Sequence, residues 1–198
     1  MVQVDRGEHL RSGEWLDRNR EYWESRPAGS DPAGAASGLS VVRPVEGLRV
    51  LHLRSGDGAG SVALVERGAE LIGVDFSMPA VRRARALALE RGVAARSRFV
   101  CANVYELRHM LPEPDSFDLV LTSRDALAWL PDIEEWARIV EWFLTPGGSL
   151  VLGPASGARL ETDDVRTFGH ADENVLDALR ATGLAVAASP QLLATKPS

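Results

Sequence analysis

Apolar positions along this chain fall into two rhythms. Short, nearly unbroken apolar runs near residues 49–53, 70–75, 97–101, 117–122 and 149–153 have the length and the flanking turn residues of buried strands. Between them, residues 59–68, 78–92 and 133–144 repeat their apolar positions every three or four places, as helices covering one face of a sheet do. Strands separated by helices run parallel and are joined by right-handed crossovers, which predicts a doubly wound α/β sheet with helices on both faces. The tail departs from this pattern. Residues 171–182 read as a helix, and the apolar stretches 184–188 and 192–195 are separated only by the turn around Ser189-Pro190. That separation permits a hairpin and no crossover, so the last strand is expected to be antiparallel in a sheet of about seven strands. No internal repeat is apparent.

Ahead of the first strand, residues 14–26 are expected to form an amphipathic helix carrying Trp15, Asn19 and Tyr22 at spacings of three and four, with Trp23 beside them. Residues 27–40, rich in Ala, Gly, Ser and Pro, read as a flexible connection. The chain thus divides into an N-terminal helix with its linker, residues 1–40, and one folded unit, residues 41–198.

With 198 residues, 45% of them hydrophobic and 25% charged, the chain has material for one core and no second domain. Its formal charge of -6 argues against a nucleic-acid partner. Lys196 is the only lysine among 22 basic residues, a bias that, with the alanine-rich helices, fits a high-GC genome. The single cysteine, Cys101, allows no internal disulfide and no cysteine cluster for zinc, and no metal site is predicted. Neither a signal peptide nor a membrane span is visible, so no membrane partner and a cytoplasmic location are expected.

The chemistry concentrates in residues 49–77. Gly56, Gly58 and Gly60 follow the first strand at alternate positions, just before a helix. Glycine lets backbone approach a ligand closely, and the helix N-terminus behind it offers unpaired N–H groups. The second strand ends at Asp75, 19 residues after Gly56, where a carboxylate can accept both hydroxyls of a ribose. Other readings stand beside these: glycine-rich turns join strands to helices for conformational reasons alone, and Asp75 is equally a candidate N-cap for the following helix. The GxGxG spacing, rather than GxGxxG, tilts the choice away from NAD.

The segments VLHL at 50–53, GVDFS at 73–77, FVCANVYEL at 99–107, LTSRDALAWLPDIEEWARIV at 121–140 and LTPGGSLVL at 144–152 occur here in this order. In them the chain resembles the class I S-adenosylmethionine-dependent methyltransferases, and more narrowly a bacterial small-molecule-type subgroup, over roughly residues 15–152. The resemblance implies a Rossmann-like fold, S-adenosylmethionine as cofactor, S-adenosylhomocysteine as product, and a small-molecule acceptor. The wider superfamily has an acidic residue at the position of His52 and a glycine at that of Arg54; the subgroup is similar to this chain at His52.

Ligands of open α/β sheets lie beyond the carboxyl ends of the strands, so the residues just after each strand are the candidates. These are Arg54, Ser55, Gly56, Asp57 and Gly58 after the first and Asp75, Phe76 and Ser77 after the second. Asn103 and Val104 follow the third, and Thr122 and Ser123 end the fourth. By resemblance, Asp75 holds the ribose, Phe76 lies against the adenine, and Asn103 stands where the family commonly has an acidic residue receiving the adenine amino group. Asn103 keeps an acceptor oxygen and adds a donor, and is also an ordinary turn residue. Arg54 either pairs with the cofactor's methionyl carboxylate or crowds that end. The resemblance also makes the N-terminal helix a lid over the cofactor, with Trp23 a candidate cofactor-binding residue; simple docking of an amphipathic helix is the alternative. Trp129 closes the pocket wall, whereas Trp136 and Trp142 are read as core.

Methyl transfer is an in-line displacement that depends on holding nucleophile and methyl collinear. A base is needed for a hydroxyl or acidic carbon and not for a neutral amine. Tyr22, Asp125 and His170 are the candidates for catalytic roles, His170 as base, against the plainer readings of a solvated loop histidine and of an Asp125 that pairs with Arg124 or caps a turn. Residues 154–170 are short for an acceptor-binding segment, which suggests an open site or one completed by a second subunit in a homodimer. The charged run 161–164 is read either as an attractor of a cationic acceptor or as a solvated turn. Two other functions remain open: a methyltransferase-fold enzyme doing cyclisation or rearrangement in natural-product assembly, and a non-catalytic binding protein.

Overall fold

The computed structural model describes residues 13–25, 43–153, 167–187 and 192–198. Helix α1 (Glu14–Glu24) precedes the sheet, and β1 (Arg49–Leu53), α2 (Ala59–Glu66), β2 (Glu70–Asp75), α3 (Met78–Glu90) and β3 (Ser97–Cys101) then alternate. They are followed by a short α4 (Leu107–Met110), β4 (Phe117–Ser123), the single turn α5 (Arg124–Leu127), α6 (Ile133–Phe143) and β5 (Leu144–Gly153). Helix α7 (Asp172–Ala181) and the hairpin of β6 (Ala185–Ala187) and β7 (Leu192–Thr195) complete the described chain. The seven strands form one Rossmann-like sheet in the order β3-β2-β1-β4-β5-β7-β6. The first five strands pair in parallel, and β7 runs antiparallel to both β5 and β6, as the hairpin argument required.

Alternation along β1 divides the interior. Leu51 and Leu53 face a core shared with Trp136, Ile139, Phe143 and Leu179 of α6 and α7. Val50 faces the opposite core, formed with Leu64 of α2, Val81 and Ala84 of α3, and Phe99. Helix α6 buries one face completely, and Trp136 is 0% exposed there, in keeping with its reading as core; Trp142 packs at the margin of the same cluster.

The strands expected at 49–53, 70–75, 97–101 and 192–195 have those bounds in the structure. Strand β5 begins at Leu144, well before the expected 149, because Leu144 pairs with Phe117 ahead of a register shift that resumes at Leu119 and Ser149. A Thr-Pro-Gly-Gly sequence there reads as a turn, yet it is a bulged strand entrance. Helix α1 ends at Glu24, and its Arg26 continuation, the 27–40 connection, His9, the 161–164 run and most of the 154–170 segment lie outside the described residues.

The order of the sheet fixes where a ligand can sit. From β1 the chain moves outward through β2 to β3, then crosses back to β4 on the other side of β1. The loops after β1 and β4 therefore diverge and leave a crevice at the strands' carboxyl ends.

Candidate active site

The loop after β1 is held in one shape by the end of β2. Asp75, 4% exposed, accepts the backbone N–H of Gly56 on Oδ2 at 3.0 Å and that of Ser77 on Oδ1 at 2.9 Å. The N-cap of α3 is instead Ser77, whose Oγ accepts the Ala80 N–H at 3.3 Å. Asp75 thus binds two loops together. Gly58, at φ 83°, caps α2; a Cβ there would lie 2.9 Å from the Cα of Ala84, so the loop rests directly on α3. In β2, Gly73 leaves room for the Phe99 ring, 2.6 Å from where its Cβ would stand.

Arg54 is the exception in this loop. It takes φ 57°, a left-handed conformation at the position where the resembled superfamily has glycine. Its guanidinium carbon lies 5.4 Å from the ring centroid of Trp23, 5.6 Å from that of Phe76 and 5.3 Å from that of Trp129. Three chain segments far apart in sequence meet around it.

The wall carrying Trp129 is fixed by its neighbours. The Tyr105 hydroxyl accepts the Asp132 N–H at 2.9 Å and donates to the Asp132 carbonyl at 3.2 Å. Asp132 itself caps α6, its Oδ1 accepting the Glu135 N–H at 2.9 Å. From the segment before α7, Phe168 N–H donates to the Ala128 carbonyl and His170 Nε2 to that of Leu130, both at 2.6 Å. The carbonyl acceptor assigns the proton to His170 Nε2, leaving Nδ1 as the nitrogen able to take up another.

Helix α1 lies across this wall. Tyr22 stacks on Trp129 with centroids 6.2 Å apart, Trp23 meets Trp129 edge-on at 5.2 Å, and Trp15 meets Phe168 at 5.4 Å. Offset and edge-to-face contacts of this kind add to simple burial. Between α1 and the strand ends runs a crevice whose lining includes Trp15, Asn19, Arg54, Asp75, Phe76 and Asn103. It contains about 480 Å³ of empty space including its open mouth.

Of the residues expected from sequence to bind a cofactor, Arg54, Asp75, Phe76, Asn103 and Val104 line this crevice. Ser55 and Thr122 are each 1% exposed at the ends of β1 and β4, and their hydroxyls have no hydrogen-bond partner among the described residues. Ser123 caps α5 through the Ala126 N–H at 3.1 Å, and Asp57 accepts the Ala59 N–H at 3.4 Å. Asn103 caps the turn at 104–106, its Oδ1 accepting the Tyr105 N–H at 3.2 Å, so the plain turn reading and the crevice position both hold for it. Trp23 reaches the site through Arg54 and Trp129.

Tyr22, Asp125 and His170 do not line the crevice: Tyr22 stacks on Trp129 from α1, Asp125 lies in α5, and His170, in the segment before α7, bonds the Leu130 carbonyl. Arg124 pairs with Asp172 at the start of α7. Asn19, 1% exposed in α1 and part of the lining, was not among the expected site residues; its signal was a polar side chain on the apolar stripe with Trp15 and Tyr22. His52 is fully buried, with Nδ1 2.8 Å from the Ser61 Oγ, and burial pushes its pKa down to about 3. Burial likewise raises that of the Cys101 thiol, which donates to the Phe76 carbonyl at 3.5 Å and is no ready nucleophile. Among the described residues no group of His, Cys, Asp and Glu stands in a metal-holding arrangement, and no helix is long and apolar enough to cross a membrane.

The crevice suits a nucleoside cofactor on its own terms. A carboxylate fixed in place by two backbone N–H groups, aromatic walls and, beside them at the ends of β1 and β4, buried hydroxyls without a partner among the described residues are groups that such a ligand would engage.

Comparison with known proteins agrees with the geometry. Residues 50–148 match the family described as a methyltransferase domain. The chain is 31% identical over 134 residues to the ubiquinone biosynthesis O-methyltransferase of Ralstonia nicotianae, covering 68% of this chain and 53% of that protein. It is 32% identical over 126 residues to the cypemycin N-terminal methyltransferase of a Streptomyces species, covering 62% and 48%. The chain spans about half the length of these curated relatives. Magnesium protoporphyrin IX methyltransferase from Synechocystis PCC 6803, solved with S-adenosylmethionine bound, has the same fold, with a TM-score of 0.66 at 18% identity over 93% of this chain and 98% of that one.

Proposed function

The chain belongs to the class I S-adenosylmethionine-dependent methyltransferases, and we propose that it methylates an oxygen or nitrogen of a small molecule in bacterial secondary metabolism. The observation that carries this reading is the crevice in which Asp75 organises the glycine loop, beneath a helix that brings three aromatic side chains to its edge. When bound, S-adenosylmethionine supplies a methyl group activated by its sulfonium centre.

Each role follows from position. Asp75 accepts the ribose hydroxyls, and Gly56 and Ser77 keep its carboxylate oriented. Phe76 packs the adenine, and Asn103 meets its polar edge. Ser55 and Thr122 give hydroxyls to the parts of the cofactor that cross the ends of β1 and β4. Helix α1 is the lid: its aromatic contacts with Trp129 and Phe168 would exclude water from the sulfonium centre. Tyr22, Asp125 and His170 stand around the acceptor side; His170 uses Nδ1 where a proton must be removed, because Nε2–H is given to Leu130.

The acceptor atom is the open choice, since one relative is named for an oxygen acceptor and another for an amine. Incubation with S-adenosylmethionine labelled in its methyl group, against a panel of catechols, phenols and peptide or small-molecule amines, is expected to yield a labelled product and one equivalent of S-adenosylhomocysteine. Turnover of an acceptor without S-adenosylhomocysteine would instead support a cyclisation or rearrangement, and the methyl-transfer reading would fall.

A further inference from the structure

We propose that the face formed by α3 and the edge strand β3 docks a short acidic helix of a partner protein, held by apolar anchors at its two ends and by arginines between them. Charge supplies the first argument. Residues 78–98 carry six arginines and a single acid, Glu90, in a chain whose formal charge is -6. Arg91 pairs with Glu66, but Arg82, Arg96 and Arg98 are exposed and form no ion pair among the described residues. Like charges left uncompensated on one face raise the local potential and draw an opposite charge to it.

The shape of the face supplies the second. Helix α3 buries Val81, Ala84 and Ala88 against the sheet and turns Met78, Arg82, Arg85 and Leu89 outward, at spacings of four, three and four. Leu89 is 71% exposed and Met78 38%, so two large apolar side chains stand in water at the ends of a stripe whose middle is basic. Beside the stripe an open groove of about 1040 Å³ runs along β3, and its lining includes Arg85, Arg98, Phe99 and Cys101 as well as Met78 and Leu89. Arg85 is fixed in this groove, its Nε and Nη2 donating to the Phe99 carbonyl at 3.2 and 2.6 Å. That carbonyl is thereby closed to an added strand, which leaves a helix laid in the groove as the mode of docking.

The same stripe decides between occupants. A second copy of this chain, docked by a two-fold axis through α3, would set Met78 against Leu89 but also Arg82 against Arg85 on both sides of the axis, and like charges directly opposed are repulsive. A nucleic acid would use the arginines for its phosphates and leave Leu89 and Met78 in water, and beyond this face it would meet a surface of its own sign. A short helix with apolar residues near its ends and carboxylates between them satisfies every group of the stripe, which extends about 16 Å along α3 from Met78 to Leu89.

The test is fluorescence anisotropy of the full chain with a labelled helical peptide about four turns long, carrying leucines near its ends and glutamates on the same face between them. The original protein is expected to bind it and to ignore the same peptide with lysine in place of glutamate. Arg82→Glu combined with Arg98→Glu turns two attractions into two repulsions and should weaken binding by about 10-fold or more. Leu89→Ser should weaken it by about threefold or more through loss of one apolar anchor. Urea unfolding midpoints equal to that of the original protein show that the variants keep the fold, as exposed positions without partners allow. Absence of binding by the acidic peptide, or binding unaltered by the double variant, overturns the proposal. So does equal binding of a peptide whose leucines are replaced by serine, since the attraction is then one of diffuse charge. Tighter binding of a single-stranded oligonucleotide of equal charge assigns the face to nucleic acid instead, and a dimer in sedimentation that Leu89→Ser dissociates assigns it to a second copy; either result also overturns the proposal.

Discussion

Asp75→Ala is expected to weaken S-adenosylmethionine binding by at least about 100-fold, because two charge-assisted hydrogen bonds to the ribose are lost together. The same change reaches the fold. Gly56 and Ser77 would lose the acceptor of their buried N–H groups, which costs on the order of 2 kcal/mol where water replaces it incompletely. Calorimetric titration and urea unfolding separate the two effects. Asp75→Asn retains one acceptor oxygen, so it should keep part of the loop anchoring while still losing most of the ribose affinity. Affinity left unchanged by Asp75→Ala would contradict the ribose assignment, however much the stability fell.

Acid sensitivity is the second large expectation, and it comes from His52. Its folded-state pKa of about 3 lies below the ordinary histidine value of 6.5, because the ring is sealed between the sheet and α2 with Ser61 as its hydrogen-bond partner. Above pH 6.5 the ring is neutral folded and unfolded, so its titration removes no stability there. As pH falls below 6.5, the unfolded chain binds a proton that the folded chain refuses, and stability declines by up to about 1.4 kcal/mol per pH unit until the folded value is reached. Urea unfolding at pH 7 and pH 5 should therefore show a loss of about 2 kcal/mol attributable to this residue. His52→Asn, compared over the same interval, should lose that part of the slope whatever its absolute stability at pH 7. An equal slope in both proteins would show that His52 is not protected from protonation in the native state.

His52 also illustrates what was and was not legible in the sequence. Its neighbours Val50, Leu51 and Leu53 form a run whose apolar character alone places a buried strand, and the strict alternation of a sheet then decides which core each enters. The parallel order followed from helices between strands, and the antiparallel end from a linker too short for a crossover. Strand β5 was partly hidden because a Pro-Gly-Gly sequence signals a turn while the register shift opposite Phe117 absorbs it. Local sequence could place Asp75 after a strand; it could not show that the carboxylate binds Gly56 and Ser77 instead of capping α3, since that choice depends on the loop from β1 arriving within 3.0 Å.

The candidate site divides along the same line. The crevice positions of Asp75, Phe76 and Asn103 were legible because each lies at or just past the end of a strand, and the topology sends every parallel strand's end to one side. The arrangement around Arg54 was not, for its three rings come from α1, from the end of β2 and from the segment between α5 and α6, and only tertiary packing brings them together. Asn19 was hidden for a related reason: a single polar position on an apolar stripe gains meaning only when the stripe is seen to close over a crevice. His170 was marked by its place in the chain, whereas the hydrogen bond that determines which of its nitrogens can act is formed with Leu130, 40 residues away.

The central claim is that the crevice beneath α1 takes S-adenosylmethionine. Titrating the full chain with that compound in a calorimeter tests it most directly, with S-adenosylhomocysteine and NAD as comparisons. Saturable binding of S-adenosylmethionine and S-adenosylhomocysteine at one site per chain, with no heat from NAD, is the predicted result. No heat with either adenosyl compound, from protein shown to be folded, would contradict the account.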